Sequence, residues 1–173
     1  MKWFFGIGLW FFLVVFELAF LHSLPFPWMF LPCVFGVSVY VLQHHHVRQA
    51  IGWIAGYGLV LDFLRQGLVP CETIPLLLAT AAAWFGSQYF FSHRSYYGLL
   101  ANAFFSFGVL WMARVGVWGI VWFFHPESVL WKEIFFAFLV HIPLFFFLIT
   151  FLFFSAKQIR RFLAMIFFIP KIS

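Results

Sequence analysis

The chain has 173 residues, a formal net charge of +5, and a composition that is 65% hydrophobic and only 9% charged. Phe alone contributes 30 residues and Trp another 9, and a small water-soluble domain leaves too much surface exposed to hide so many large apolar side chains. The basic residues sit singly at the ends of apolar runs and form no polar-interleaved stripe, which excludes a nucleic-acid footprint and makes the lipid bilayer the expected surroundings.

A helix needs ~20 mainly apolar residues to cross the hydrocarbon core, and the chain reads as an all-α, six-transmembrane-helix bundle. Helix 1 is expected from Trp3 to Leu21. Its charged start resembles a signal peptide, but the run is long and lacks a small-residue cleavage site, so it reads as a retained helix. The prolines of His22-Ser23-Leu24-Pro25-Phe26-Pro27 make a tight turn. Helix 2 follows from Trp28 to Leu42, with Pro32 near its start. A polar loop at Gln43–Arg48 leads to helix 3, Gln49 to Leu64. The loop from Arg65 to Glu72 precedes helix 4, Thr73 to Phe91. The short turn Ser92–Ser95 leads to helix 5, Tyr97 to Phe124. His125–Ser128 then leads through Lys132-Glu133 to helix 6, Ile134 to Phe154. Residues 1–155 form one transmembrane domain and 156–173 a basic cytoplasmic tail. The tail is either an ordinary positive stop or a partly amphipathic segment on the anionic leaflet.

Orientation follows from the basic residues. With six crossings, Lys2, Arg48, Arg94, Lys157, Arg160, Arg161 and Lys171 share the side of both termini, against Arg65 and Lys132 opposite. Both termini are therefore expected in the cytoplasm.

Glu17, Asp62 and Arg114 lie inside the apolar runs. A charge at a helix centre costs ~2.5–3.5 kcal/mol on insertion scales, so such residues tend to face the bundle interior and pair. At ~1.5 Å rise per residue, all three fall ~20–25 Å from the cytoplasmic start of their helices. They are expected to form an intramembrane polar centre with an Asp62–Arg114 pair and Glu17 nearby. That centre is either a structural ion pair or a ligand- or partner-binding site; snorkelling is a further option for Asp62.

Small residues give a second signal. Gly52 and Gly56 form a GxxxG pair in helix 3, and helix 4 carries Ala79, Ala82, Ala83 and Gly86. Such faces let helix backbones approach closely. These serve either packing of helices 3 and 4 on each other or contact with a partner's helix. His44-His45-His46 reads as a solvated interfacial loop, since adjacent histidines diverge and no acidic or Cys cluster joins them. His141 beside Pro143 reads as a bundle hydrogen-bonding group. Cys33 and Cys71 have no CxxC spacing, and a disulfide between them is left open. No GxSxG, HExxH, phosphate-binding glycine loop or paired-carboxylate signature occurs, so no enzyme, metal or cofactor is expected.

The stretch Gly56-Tyr57-Gly58-Leu59-Val60-Leu61-Asp62-Phe63-Leu64, the loop with Gly67 and Pro70, and the basic turn Ser92-His93-Arg94-Ser95-Tyr96-Tyr97 resemble the MreD family of bacterial rod-shape-determining membrane proteins. The loop departs from the family pattern at Arg65-Gln66 and Cys71-Glu72. The resemblance implies a non-enzymatic scaffold of the cell-elongation machinery in the inner membrane. It also implies an MreC-like single-span partner, wall-synthesis proteins around it, and a fold similar to the substrate-binding subunits of energy-coupling-factor transporters. The last similarity supplies an alternative function, a small-molecule-binding transporter subunit. The apolar character of helix 1 and the short loops favour the scaffold. Partner identity and oligomeric state stay open.

Overall fold

The computed structural model describes residues 2–44, 47–64, 71–91, 95–124 and 131–166, with side chains from residue 6 to residue 158 within those ranges. The described residues form six α-helices and no strand. They are α1 (Lys2–Val15), α2 (Cys33–Gln43), α3 (Val47–Leu64), α4 (Thr73–Phe85), α5 (Tyr96–Phe124) and α6 (Trp131–Ile166). A π-helical turn, Phe16–Phe20, and a 3₁₀ turn, Leu21–Ser23, extend α1; a second π turn, Gly86–Phe90, extends α4.

Three helical runs are long and apolar enough to cross a membrane: Gly6–Ser23, Tyr96–Phe124 and Trp131–Gln158. Of the six expected spanning helices, only these three meet the requirement by length and composition among the described residues. The clearest departure is helix 2. It starts at Cys33 instead of Trp28, because the chain before it holds only a 3₁₀ turn, Trp28–Phe30, and then Pro32. Proline is tolerated at a helix start, where its missing N–H would have had no partner. The remaining 11 residues of α2 span only ~16 Å. Helix 6 departs the other way. No helix breaker stands between Phe154 and Ile166, and α6 runs 36 residues with Pro143 inside it, so the first part of the expected tail continues the helix. Cys33 and Cys71 form no disulfide.

α2 is the central helix. Val34, Phe35, Gly36, Ser38, Val39 and Leu42 are all buried, and α2 touches α1, α3, α4, α5 and α6. Phe35 stacks on Phe145 of α6 at 5.6 Å, and Phe145 stacks on Phe107 of α5 at 4.7 Å, an offset aromatic column within the favourable centroid range. The outer surface is apolar in turn. Phe63, Phe123 and Met112 are more than three-quarters exposed, which suits lipid as the surrounding solvent.

The small residues divide between the interior and the surface. Ala79, Ala83 and Gly86 are buried, Ala79 and Ala83 in the core and Gly86 against Asn102 and Phe105 of α5. Ala82 is half-buried and Gly52 is exposed. Gly56 packs on the Trp10 ring of α1, not on α4. The close approach of α3 to α4 is made instead by Gly58, where a Cβ would lie 2.8 Å from the Thr73 Cα. A side chain there must displace backbone, and overpacking of this kind costs about 1–3 kcal/mol. Gly58→Ala should therefore lower the melting temperature of the purified protein. Gly52→Ala meets nothing within 4 Å and should leave it unchanged or slightly raised, since Ala is the better helix former. Equal melting of the two variants would contradict this packing.

Candidate functional site

Glu17 sits in the π turn that extends α1, and π turns recur at functional positions because they re-aim a side chain. The widened turn carries the carboxylate inward, where the residue is 4% exposed. Its Oε1 accepts the Tyr57 hydroxyl at 2.6 Å, and its Oε2 accepts the Val34 backbone N–H at 2.6 Å. Val34 is the second residue of α2, so Glu17 satisfies one of the N–H groups that a helix start leaves without an intrahelical partner. A carboxylate there also complements the positive end of the helix dipole.

Asp62 does the same for α4. Its Oδ1 accepts the Glu72 N–H at 2.8 Å, and its Oδ2 accepts the Thr73 N–H at 2.9 Å together with the Thr73 hydroxyl. The expected Asp62–Arg114 pair is thus not what the structure contains. Arg114 Nη2 donates to Glu72 Oε2 at 2.7 Å. The reason is steric and electrostatic together: both Asp62 oxygens are turned onto the first N–H groups of α4. Glu72, placed at that helix start, then presents its own carboxylate to α5. The guanidinium also lies 5.4 Å from the Trp111 ring centroid, within cation–π range.

These groups surround a cavity of about 720 Å³. Glu17, Tyr57, Glu72, Arg114, Trp111 and His141 line it beside apolar side chains that include Phe35 and Phe107, with His22, Lys132 and Glu133 also on its wall. The structure brings Glu17 and Arg114 to this one cavity, while Asp62 is not on its wall and bonds the Glu72 and Thr73 N–H groups instead. His141 Nδ1 bonds the Ala137 carbonyl at 2.7 Å, so in a neutral ring this nitrogen carries the proton and donates. The same ring lies 5.4 Å from Trp111 and 5.3 Å from Phe30.

At the other end of α2, Gln43 Nε2 donates to the Phe91 carbonyl at 2.7 Å, and Asn102 Nδ2 donates to Gln43 Oε1 at 2.7 Å. His44 stacks on Tyr40 at 4.3 Å and bonds its carbonyl; His45 and His46 lie outside the described residues. Among the described residues no group of three or more His, Cys, Asp or Glu is placed to hold a metal ion.

Sequence reasoning missed Glu72, Tyr57, Gln43 and Asn102. Glu72 read as a loop charge, although it immediately precedes a helix start. Gln43 and Asn102 carried a signal, as amides at or inside apolar runs that need partners wherever they are buried. No family model, curated protein or solved structure matches the chain.

Removing one member of a buried ion pair costs about 3–5 kcal/mol because it leaves the other charge uncompensated. Glu72→Gln should therefore destabilise the folded protein by about 3 kcal/mol, and Glu72→Gln with Arg114→Gln should recover part of that loss. Thermal unfolding in detergent reads both. A double variant no better than the single one would show that the pair is not the source of the loss.

Proposed function

We propose that this protein is a multi-pass scaffold of the bacterial cell-elongation machinery, without turnover of its own, that binds an MreC-like single-span partner and supports peptidoglycan synthesis. The observation that carries the reading is the MreD-like segment from Gly56 to Leu64 together with the architectural use of its residues. Its Gly58 admits Thr73, and its Asp62 holds the start of α4. A segment of that kind sets the angle between two helices, which is what a helix-presenting scaffold requires.

The setting belongs to the same proposal. The protein sits in the inner membrane as a six-crossing bundle with both termini in the cytoplasm, an arrangement the distribution of basic residues favours. α2 completes its crossing together with the 3₁₀ turn that precedes it. The exposed Gly52 lets a partner's backbone come close, and in lipid such van der Waals approach is a main driving force for helix association.

Reporter fusions at positions 94 and 127 should fall on opposite sides of the membrane, and both on one side would contradict the six-crossing arrangement. Gly52→Leu should cut capture of the single-span partner at least about fivefold, ~1 kcal/mol, while membrane insertion is retained. Depletion should round the cells. Co-purification with transport ATPases in place of wall-synthesis proteins would replace the scaffold with the transporter-subunit reading.

A further inference from the structure

The cavity beside Glu17 goes beyond the scaffold reading and holds whether or not that reading stands. Its volume, about 720 Å³, lies within the roughly 300–1,000 Å³ of small-molecule sites. It has the composition of such sites, mostly apolar and aromatic with a few convergent polar groups.

Its charges are arranged unevenly. Glu17 is buried and accepts two neutral donors, Tyr57 and Val34, yet no cationic side chain forms an ion pair with it among the described residues. A buried carboxylate is costly unless a positive charge accompanies it. On the same cavity stands a cation with donors to spare. Arg114 gives one bond to Glu72 out of the five N–H groups of a guanidinium. Its Nε, and the Trp111 Nε1 beside it, have no acceptor, although both residues line the cavity. Among the described residues Glu17 thus has no ion-paired cation, although His22 and Lys132 also line the cavity, and Arg114 Nε and Trp111 Nε1 have no hydrogen-bond acceptor. Phe35 and Phe107 line the same cavity.

We propose that this cavity binds a small zwitterion carried on an apolar body, its cationic group at Glu17 and its anionic group at Arg114. The same chemistry is offered by a free aromatic amino acid and by the ammonium-phosphate headgroup of a lipid, and the two sources can be told apart.

The full-length protein in non-ionic detergent is titrated with L-tryptophan by calorimetry. In parallel it is exposed to phosphatidylethanolamine, with phosphatidylglycerol as the control lacking the ammonium, and read by native mass spectrometry. Saturable binding of L-tryptophan assigns a free ligand, and preferential retention of phosphatidylethanolamine over phosphatidylglycerol assigns a lipid. Either must weaken at least tenfold in Glu17→Gln, which keeps an acceptor oxygen for Val34 but removes the charge. A second variant, Ala137→Trp, fills the cavity from the α6 wall and leaves Glu17 and Arg114 in place, and should produce the same loss if Glu17→Gln does not fold. Absence of saturable binding of both zwitterions, or binding unchanged in the folded variants, overturns the proposal.

Discussion

A helix that begins inside an apolar bundle has backbone N–H groups with no water to bind. In surroundings without water each unsatisfied group costs several kcal/mol, more than most single contacts return. α2 begins in this way and α4 begins at a half-buried end, and each is supplied with a carboxylate from elsewhere in the chain: Glu17 for Val34, Asp62 for Glu72 and Thr73. The other features of the site follow. Glu17 can reach α2 because α1 ends in a π turn. Glu72 can reach Arg114 because Asp62 has fixed the start of α4. The cavity lies between these two carboxylate-capped starts.

This arrangement explains how a short helix can occupy the centre of the bundle. The 11 residues of α2 alone are too few to span a bilayer, and both of its ends meet protein. Glu17 meets the first end. Gln43, with Asn102 and the Phe91 carbonyl, meets the second. Between them the helix is sheathed by apolar and aromatic contacts from its neighbours. These side-chain bonds tie both ends of α2 to neighbouring elements.

The helical class and the approximate location of most elements were legible from run length and from the turn residues between runs. α3, the body of α4, and α5 lie close to their expected bounds. The start of α2 was not, because the apolar run from Trp28 reads as helix although Trp28–Phe30 form only a 3₁₀ turn and Pro32 stands before Cys33. The polar centre was half legible. The cost of an intramembrane charge singles out Glu17, Asp62 and Arg114, and two of these line the cavity. Their partners were hidden, because depth along a helix says nothing about which way a carboxylate turns. Asp62 could face a cation or a helix start, and only the placement of Thr73 against Gly58 decides for the helix start. The GxxxG spacing of Gly52 and Gly56 suggested one packing face, whereas in the folded chain Gly56 receives Trp10 and Gly52 is left outside.

The central claim is that two carboxylates, each remote in sequence from the helix α-turn it serves, hold the starts of α2 and α4. Hydrogen–deuterium exchange resolved to the amides of residues 33–36 and of the segment 72–75, in which Glu72 and Thr73 carry the bonded N–H groups, tests it most directly. Both segments should be protected in the native protein. Glu17→Ala should raise exchange at 33–36 and leave 72–75 protected, and Asp62→Ala should do the reverse. Protection unchanged in both variants would contradict the account, as would loss of protection at both segments from either change alone.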